Sequence, residues 1–308
     1  MKRAFNKISL ILLVSGIAAL SCAVTIQNLF GESRRTGPTL YFVDPDQKAN
    51  GKIITYDELF ARHRADPSNK LPKNLVIITH GWFEDKPWPK EMALSIARCT
   101  EGSDFLCGWF DWQSEARVIN PTDAARIACD EMAPMLAKNI LNLSKDFSHI
   151  HFIAHSAGCW LISEAAKTAA EQTTASIHLT FLDAYVPPFW HEDNLGLADG
   201  DCNSTYWSDH YFTKDITFKT TEQPLTHSHN VDLTRVTPGV NDHEFPFYWY
   251  QATIEGRYDE KQRYSGRMLY YKRGSIDYGF DRSMEKGAGN WAESIKLPMG
   301  NPPEPLFR

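Results

Sequence analysis

Four runs of this chain stay apolar with few interruptions, and they constrain the fold more than anything else in it. They are "NLVIITHG" (74–81), "FLCGWFDW" (105–112), "IHFIAHS" (150–156) and "SIHLTFLDAYVP" (176–187). A strand covered on one face alternates apolar and polar residues; a near-continuous run belongs to a strand covered on both. Segments with helical spacing lie between the runs. "PKEMALSIARCTE" (89–101) is the first. The second opens at Asn120 as N-cap with Pro121 in its first turn, and carries Ile127, Met132, Leu136, Ile140 and Leu143. Pro134 should bend it. The third, "AGCWLISEAAKTAAEQ", follows Ser156. The order β-α-β-α-β-α-β requires crossovers between parallel strands. It predicts an α/β fold, a mostly parallel central sheet with helices on both faces.

The remaining segments carry weaker signals. "TLYFVD" (39–44) and "KIITY" (52–56) are strand-like, and Asn50-Gly51 between them suits a hairpin turn. Residues 188–212 read as a polar and aromatic insertion. "DITFKT" (215–220) and "SHNVDLT" (228–234) read as further short strands.

The N-terminus reads as a targeting segment. Lys2, Arg3 and Lys7 form a basic head, 8–20 is apolar, and Ser21, Cys22 and Ala23 are small. The apolar run is short for a membrane span. A signal peptide of residues 1–23 is therefore expected, cut after Ala23, with export to the periplasm or the exterior. A second reading keeps the protein on the membrane through a lipidated Cys22; a third leaves the segment uncleaved. Residues 24–38 read as a linker and 39–308 as one domain. Export permits disulfides, and Cys99 and Cys107, flanking "TEGSDFL", are spaced to close a small loop. Cys159 reads as a packing residue. The net charge of −6, without a clustered basic segment, argues against a nucleic-acid partner.

The chemistry centres on Ala154-His155-Ser156-Ala157-Gly158, close to G-x-S-x-G with Ala in the first Gly position. A serine between a buried strand and a helix sits on a sharp turn that presents its hydroxyl, and small residues on either side avoid a clash. As an ordinary reading, Ser156 would only cap the helix. An oxyanion formed at such a serine needs two fixed N–H donors. The backbone N–H groups of Ala157 and of Trp82, in the loop after "VIITHG", are the candidates. His80 would shape that loop. The base should be a histidine on a late loop: His227, His229 and His243 are available, and His243 in "GVNDHEFPFYWY" is preferred. His227 and His229, two apart, could share a metal, but no third ligand of suitable spacing accompanies them. Asp183, at the end of the fourth run, is the candidate acid, with Glu222, Asp215 and Asp209 as fallbacks. Asp111 reads as structural or as lining the cleft.

"VIITHGW", "GWFDWQ", "HFIAHSAG", "TFLDAYVP" and "DHEFPFYWY" occur in the order seen in the lipase-like branch of the α/β-hydrolase superfamily. Across 74–250 the chain resembles the pancreatic-lipase group, in which the acid follows the strand after the nucleophile strand. The resemblance implies hydrolysis of small-molecule or lipid esters through an acyl-enzyme. It assigns Ser156, Asp183 and His243 as the triad and Trp82 and Ala157 as oxyanion donors, with no cofactor. Ala154 stands where that group carries Gly, and the 188–212 insertion lacks the helical periodicity of a lipase lid. A peptidase or other acyl hydrolase would use the same groups. A non-catalytic envelope protein would keep the fold and use only the cleft.

Overall fold

The computed structural model describes residues 37–100, 104–196, 206–214, 223–234, 243–255, 257–259, 268–270, 279–280 and 306–307. The strands β1 (Thr39–Val43), β2 (Ile53–Thr55), β3 (Asn74–Thr79), β4 (Phe105–Asp111), β5 (His149–His155), β6 (Ser176–Leu182), β7 (Tyr206–Phe212) and β8 (His229–Asp232) form one sheet. Its order is β2-β1-β4-β3-β5-β6-β7-β8. β1 runs antiparallel to β2 and β4; every other pair is parallel. β9 (Arg257–Asp259), β10 (Met268–Tyr270) and β11 (Leu306–Phe307) make a second, three-stranded sheet. The main helices are α1 (Tyr56–Ala65), α2 (Trp88–Cys99), α3 (Pro121–Ile127), α4 (Ala133–Leu143), α5 (Gly158–Gln172) and α6 (Phe245–Glu255). The large sheet and its helical layers constitute an α/β-hydrolase fold. Pro38–Arg308 make up one compact unit. Among the described residues no helix is long and apolar enough to cross a membrane.

The continuous apolar runs follow from this layering. In β3, Leu75 and Ile77 join the core that contains Ala125, Leu136, Ile140 and Leu161 from α3, α4 and α5. Val76 and Ile78 join the opposite core, with Met92 and Ile96 of α2 and Trp249 and Ile254 of α6. Each such side chain, fully buried, contributes roughly 1.5–3 kcal/mol. Neither face of β3 could be polar without leaving a gap in one of the two cores.

Several local expectations are corrected. Asn50-Gly51 does not close a two-residue hairpin. Pro45–Asn50 form a 3-10 segment, and Gly51 ends it at φ +62°. The buried Asp44 carboxylate caps that segment through Asp46 N–H and holds Arg62, which favours the longer turn. "KIITY" splits between β2 and α1, whose start is a capping box of Thr55 and Glu58. Pro134 does not simply bend a helix. The five-residue π turn Ala128–Met132 separates α3 from α4, so Pro134 falls in the first turn of α4, where its missing N–H is tolerated. Cys99 and Cys107 form no disulfide with each other. Cys99 Sγ faces Ile254 O at 3.7 Å, and burial pushes the Cys107 thiol up to about 12. Cys159 is fully buried, its thiol directed at Ala154 O. The segment 215–220, the leader 1–23, and Cys22 and Cys202 lie outside the described residues.

The segment read as an insertion contains β7, paired in parallel with β6. Ser208, Asp209 and His210 interrupt its apolar pattern, yet the whole strand is buried. Each of the three has its own partners: Ser208 bonds to His227 O and the Ser228 hydroxyl, and His210 to Asn230 and Ala184 N–H. Asp209 accepts from His178 Nε2–H (3.0 Å), the Thr180 hydroxyl (2.8 Å) and the Tyr211 hydroxyl (3.0 Å). His151 Nε2–H donates to Thr180 Oγ1 (2.8 Å), and its ring stacks on His178 at 4.0 Å. Asp209→Ala leaves these buried donors without their shared acceptor. A buried donor left without an acceptor costs about 1–3 kcal/mol, so urea unfolding of this variant should show a lower midpoint.

Candidate active site

Two of the candidate residues, Ser156 and Asp183, lie at the carboxyl ends of the parallel strands β5 and β6. Ser156 follows β5 in the left-handed region, at φ +54°, before α5 begins. A non-glycine residue held there costs on the order of 1–3 kcal/mol. The surroundings hold it: Ser156 N–H donates to Leu182 O (3.1 Å) and its carbonyl accepts from Cys159 N–H (3.1 Å). Two glycines let the loop after β3 lie against this turn. A Cβ on Gly81 would stand 2.7 Å from Ser156 Cβ, and one on Gly158 only 2.2 Å from His80 O. The need for a small residue at 158 therefore comes from the neighbouring loop. Ala154 is accommodated, fully buried in the strand.

Asp183 follows β6 and is also left-handed, at φ +48°. It is completely buried. Its Oδ1 accepts from Thr213 N–H (2.9 Å), and its Oδ2 lies 2.6 Å from His243 Nδ1. His243 occupies the turn before α6, and its Nε2 lies 2.9 Å from Ser156 Oγ. Residues 156, 183 and 243 therefore form one unbroken hydrogen-bonded line. The aromatic stretch after His243 forms the helix α6, with Phe245, Phe247 and Trp249 buried.

Among the described residues, neither Trp82 N–H nor Ala157 N–H has a hydrogen-bond acceptor, whereas Phe83 N–H is engaged by Ala116 O. Trp82 is fixed through its indole, which donates to Val118 O (2.8 Å). His80 is locked beneath the loop. It stacks on Trp112, its Nδ1 lies 3.0 Å from Gly81 O, and its Nε2 meets both Trp112 N–H (3.1 Å) and the Asp111 carboxylate (3.3 Å). It shapes the loop, as expected.

Ser156 and His243 open into a cleft of about 210 Å3. Trp82, Phe83, Pro121 and Tyr185 give it apolar lining; Glu84, Asp85, Lys86 and Glu244 give it charged lining. The Lys86 ammonium pairs with Glu244 and lies 3.9 Å from Glu84. Asp111 does not line this cleft; it belongs to a neighbouring cavity of about 410 Å3. Of the fallback acids, Asp209 is committed to the buried network, and Asp215 and Glu222 lie outside the described residues. His229 is buried in β8 and His227 is in the turn before it. Among the described residues no group of three His, Cys, Asp or Glu side chains is placed to hold a metal ion.

Two histidines contact the site without having been singled out. His155 is buried, and its Nε2–H donates to the backbone carbonyl of His243 (2.8 Å). His210 Nε2 accepts Ala184 N–H (3.2 Å), next to Asp183, and its Nδ1–H donates to Asn230 Oδ1 (3.2 Å). Burial holds His210 neutral, with a pKa of about 4, which preserves that acceptor. Their positions in strands, rather than in loops, hid both.

No family model matches the chain, and no curated protein matches it. Among solved structures it is similar to a crystal structure of Aspergillus fumigatus lipase B. The identity is 13% and the TM-score 0.35, over 60% of this chain and 52% of that one. The chain thus corresponds to about half the length of that structure.

Proposed function

We propose that this chain is a serine hydrolase that cleaves carboxylic esters through an acyl-enzyme, with Ser156, Asp183 and His243 as its catalytic groups. The observation that carries the reading is the continuous line from Ser156 Oγ through the His243 ring to the buried Asp183 carboxylate. Asp183 accepts from Nδ1–H and so leaves the Nε2 lone pair facing the hydroxyl. His243 takes the hydroxyl proton as Oγ attacks the ester carbonyl. The carbonyl oxygen becomes an oxyanion, for which Trp82 N–H and Ala157 N–H are the available donors. Collapse of the tetrahedral adduct breaks the ester C–O bond, and His243 returns the proton to the leaving alcohol. Water, deprotonated by the same imidazole, then releases the acid and restores Ser156. No cofactor enters the proposed cycle.

The reading extends to a small-molecule or lipid ester as substrate and to an exported protein, the latter resting on the N-terminal residues 1–23 alone. Cys22 is the candidate for lipid attachment. The cleft of about 210 Å3 is below the roughly 300–1,000 Å3 that encloses drug-sized ligands, which favours short acyl groups. Across a series of p-nitrophenyl esters, kcat/KM should be highest for acetate to butyrate and fall steeply toward palmitate. A fluorophosphonate probe tests the nucleophile: it should label the folded protein at Ser156 and spare the heat-denatured one. Folded protein that stays unlabelled would replace the enzyme with the binding-protein alternative.

A further inference from the structure

His155 has no part in the cycle above, yet it links the two reacting residues. It immediately precedes Ser156, and its Nε2–H reaches the backbone carbonyl of His243 at 2.8 Å. We infer that His155 is a positioning residue, whose donated hydrogen bond fixes the backbone from which the proposed base reaches Ser156. The inference rests on the assignment of His243 as that base.

The two side-chain hydrogen bonds of His243 orient its ring, and the reach of that ring toward Ser156 also depends on where its main chain sits. Residue 243 lies in a turn, and a turn of this kind has no ladder of its own to define its height above the sheet. His155 supplies a fixed point. As the last residue of β5, it shares that strand end with the Ser156 elbow. Base and nucleophile are thereby measured from one piece of backbone, and a displacement of the elbow carries both.

The donor itself is aimed. The His155 ring packs edge-on against Trp88 (centroids 6.2 Å apart, planes at 90°) and against Phe247 (5.0 Å, 78°), and its centroid lies 4.5 Å from that of His243. The residue is 3% exposed. Glu84, Lys86, His80 and His243 are the ionisable groups around it. Burial, then the neighbouring His243 and further contributions from Lys86 and His80, hold its pKa well below the ordinary imidazole value. A neutral ring has one proton, and the carbonyl at Nε2 requires it there. Nδ1 is then a bare lone pair, with Glu84 Oε2 4.0 Å away.

A packing role and a positioning role predict opposite orders for two substitutions. His155→Phe keeps a ring between Trp88 and Phe247 and removes the donor. His155→Gln loses the ring and returns an N–H near the same point. Positioning predicts that His155→Phe lowers kcat by about 10–100-fold with KM within roughly twofold, as misplacement of a catalytic group does, and that His155→Gln recovers most of the loss. Wild-type kcat in His155→Phe, or equal losses in both variants, overturns the inference. Should His155→Phe fail to fold, imidazole 15N spectra of the wild-type protein decide: the Nε2–H tautomer of His155 is expected, and the Nδ1–H tautomer overturns it. Ser156→Ala is assayed beside them. An inactive Ser156→Ala with a fully active His155→Phe removes the positioning role alone. An active Ser156→Ala removes the hydrolase reading and the positioning role with it.

Discussion

Ser156→Ala is expected to lower kcat by about 10⁴-fold or more while the thermal midpoint stays close to that of the wild type. The hydroxyl is the group lost, and the left-handed backbone at φ +54° strains alanine no less than serine. Activity and stability should therefore separate cleanly. Ser156→Gly sharpens the comparison, because glycine adopts positive φ at no steric cost. That variant should be equally inactive yet more stable, by about 1 kcal/mol. A residual rate above the uncatalysed reaction should persist in both, since the Trp82 and Ala157 donors and the cleft remain. Ordinary turnover of p-nitrophenyl butyrate by Ser156→Ala would end the proposal.

Asp183→Asn should be almost as damaging, by about 10⁴-fold in kcat, although it changes one atom and preserves shape. The reason lies at Thr213. Its N–H occupies the Oδ1 side of residue 183 (2.9 Å), so the amide oxygen of an asparagine must turn there. The NH2 group then faces His243 Nδ1, where the carboxylate oxygen stood at 2.6 Å. Nδ1 is forced to accept, the ring proton moves to Nε2, and the imidazole presents a donor to Ser156 where the chemistry requires an acceptor. Imidazole 15N spectra should report the tautomer exchange directly. A variant that keeps the wild-type rate would show that residue 183 does not set the protonation of His243.

The parts legible from sequence are those whose signal is periodic or local. β3 to β6 announce themselves because burial on both faces leaves no polar alternation. Ser156 and Asp183 follow from their place at the ends of such strands. β7 escaped because its polar residues are satisfied within the core, and an isolated sequence cannot show that Asp209 will meet His178 and Tyr211. α1 was within reach, since Thr55 and Glu58 spell a capping box four residues long. The two contacts of His155 and His210 with the site are tertiary; nothing in the spacing of either residue marks them.

The proposed nucleophile and its proposed acid stand at equivalent places. β5 and β6 are in register with His155 opposite Leu182, so Ser156 and Asp183 are the next residues along, both left-handed and tied by the Ser156 N–H to Leu182 O bond. Their separation is an inheritance of strand alignment, independent of the walls around them. Changes in the length of the surrounding loops would therefore leave the spacing of these two residues unaltered. The same alignment is unforgiving, because a slip by one position would send the carboxylate to the opposite side of the sheet.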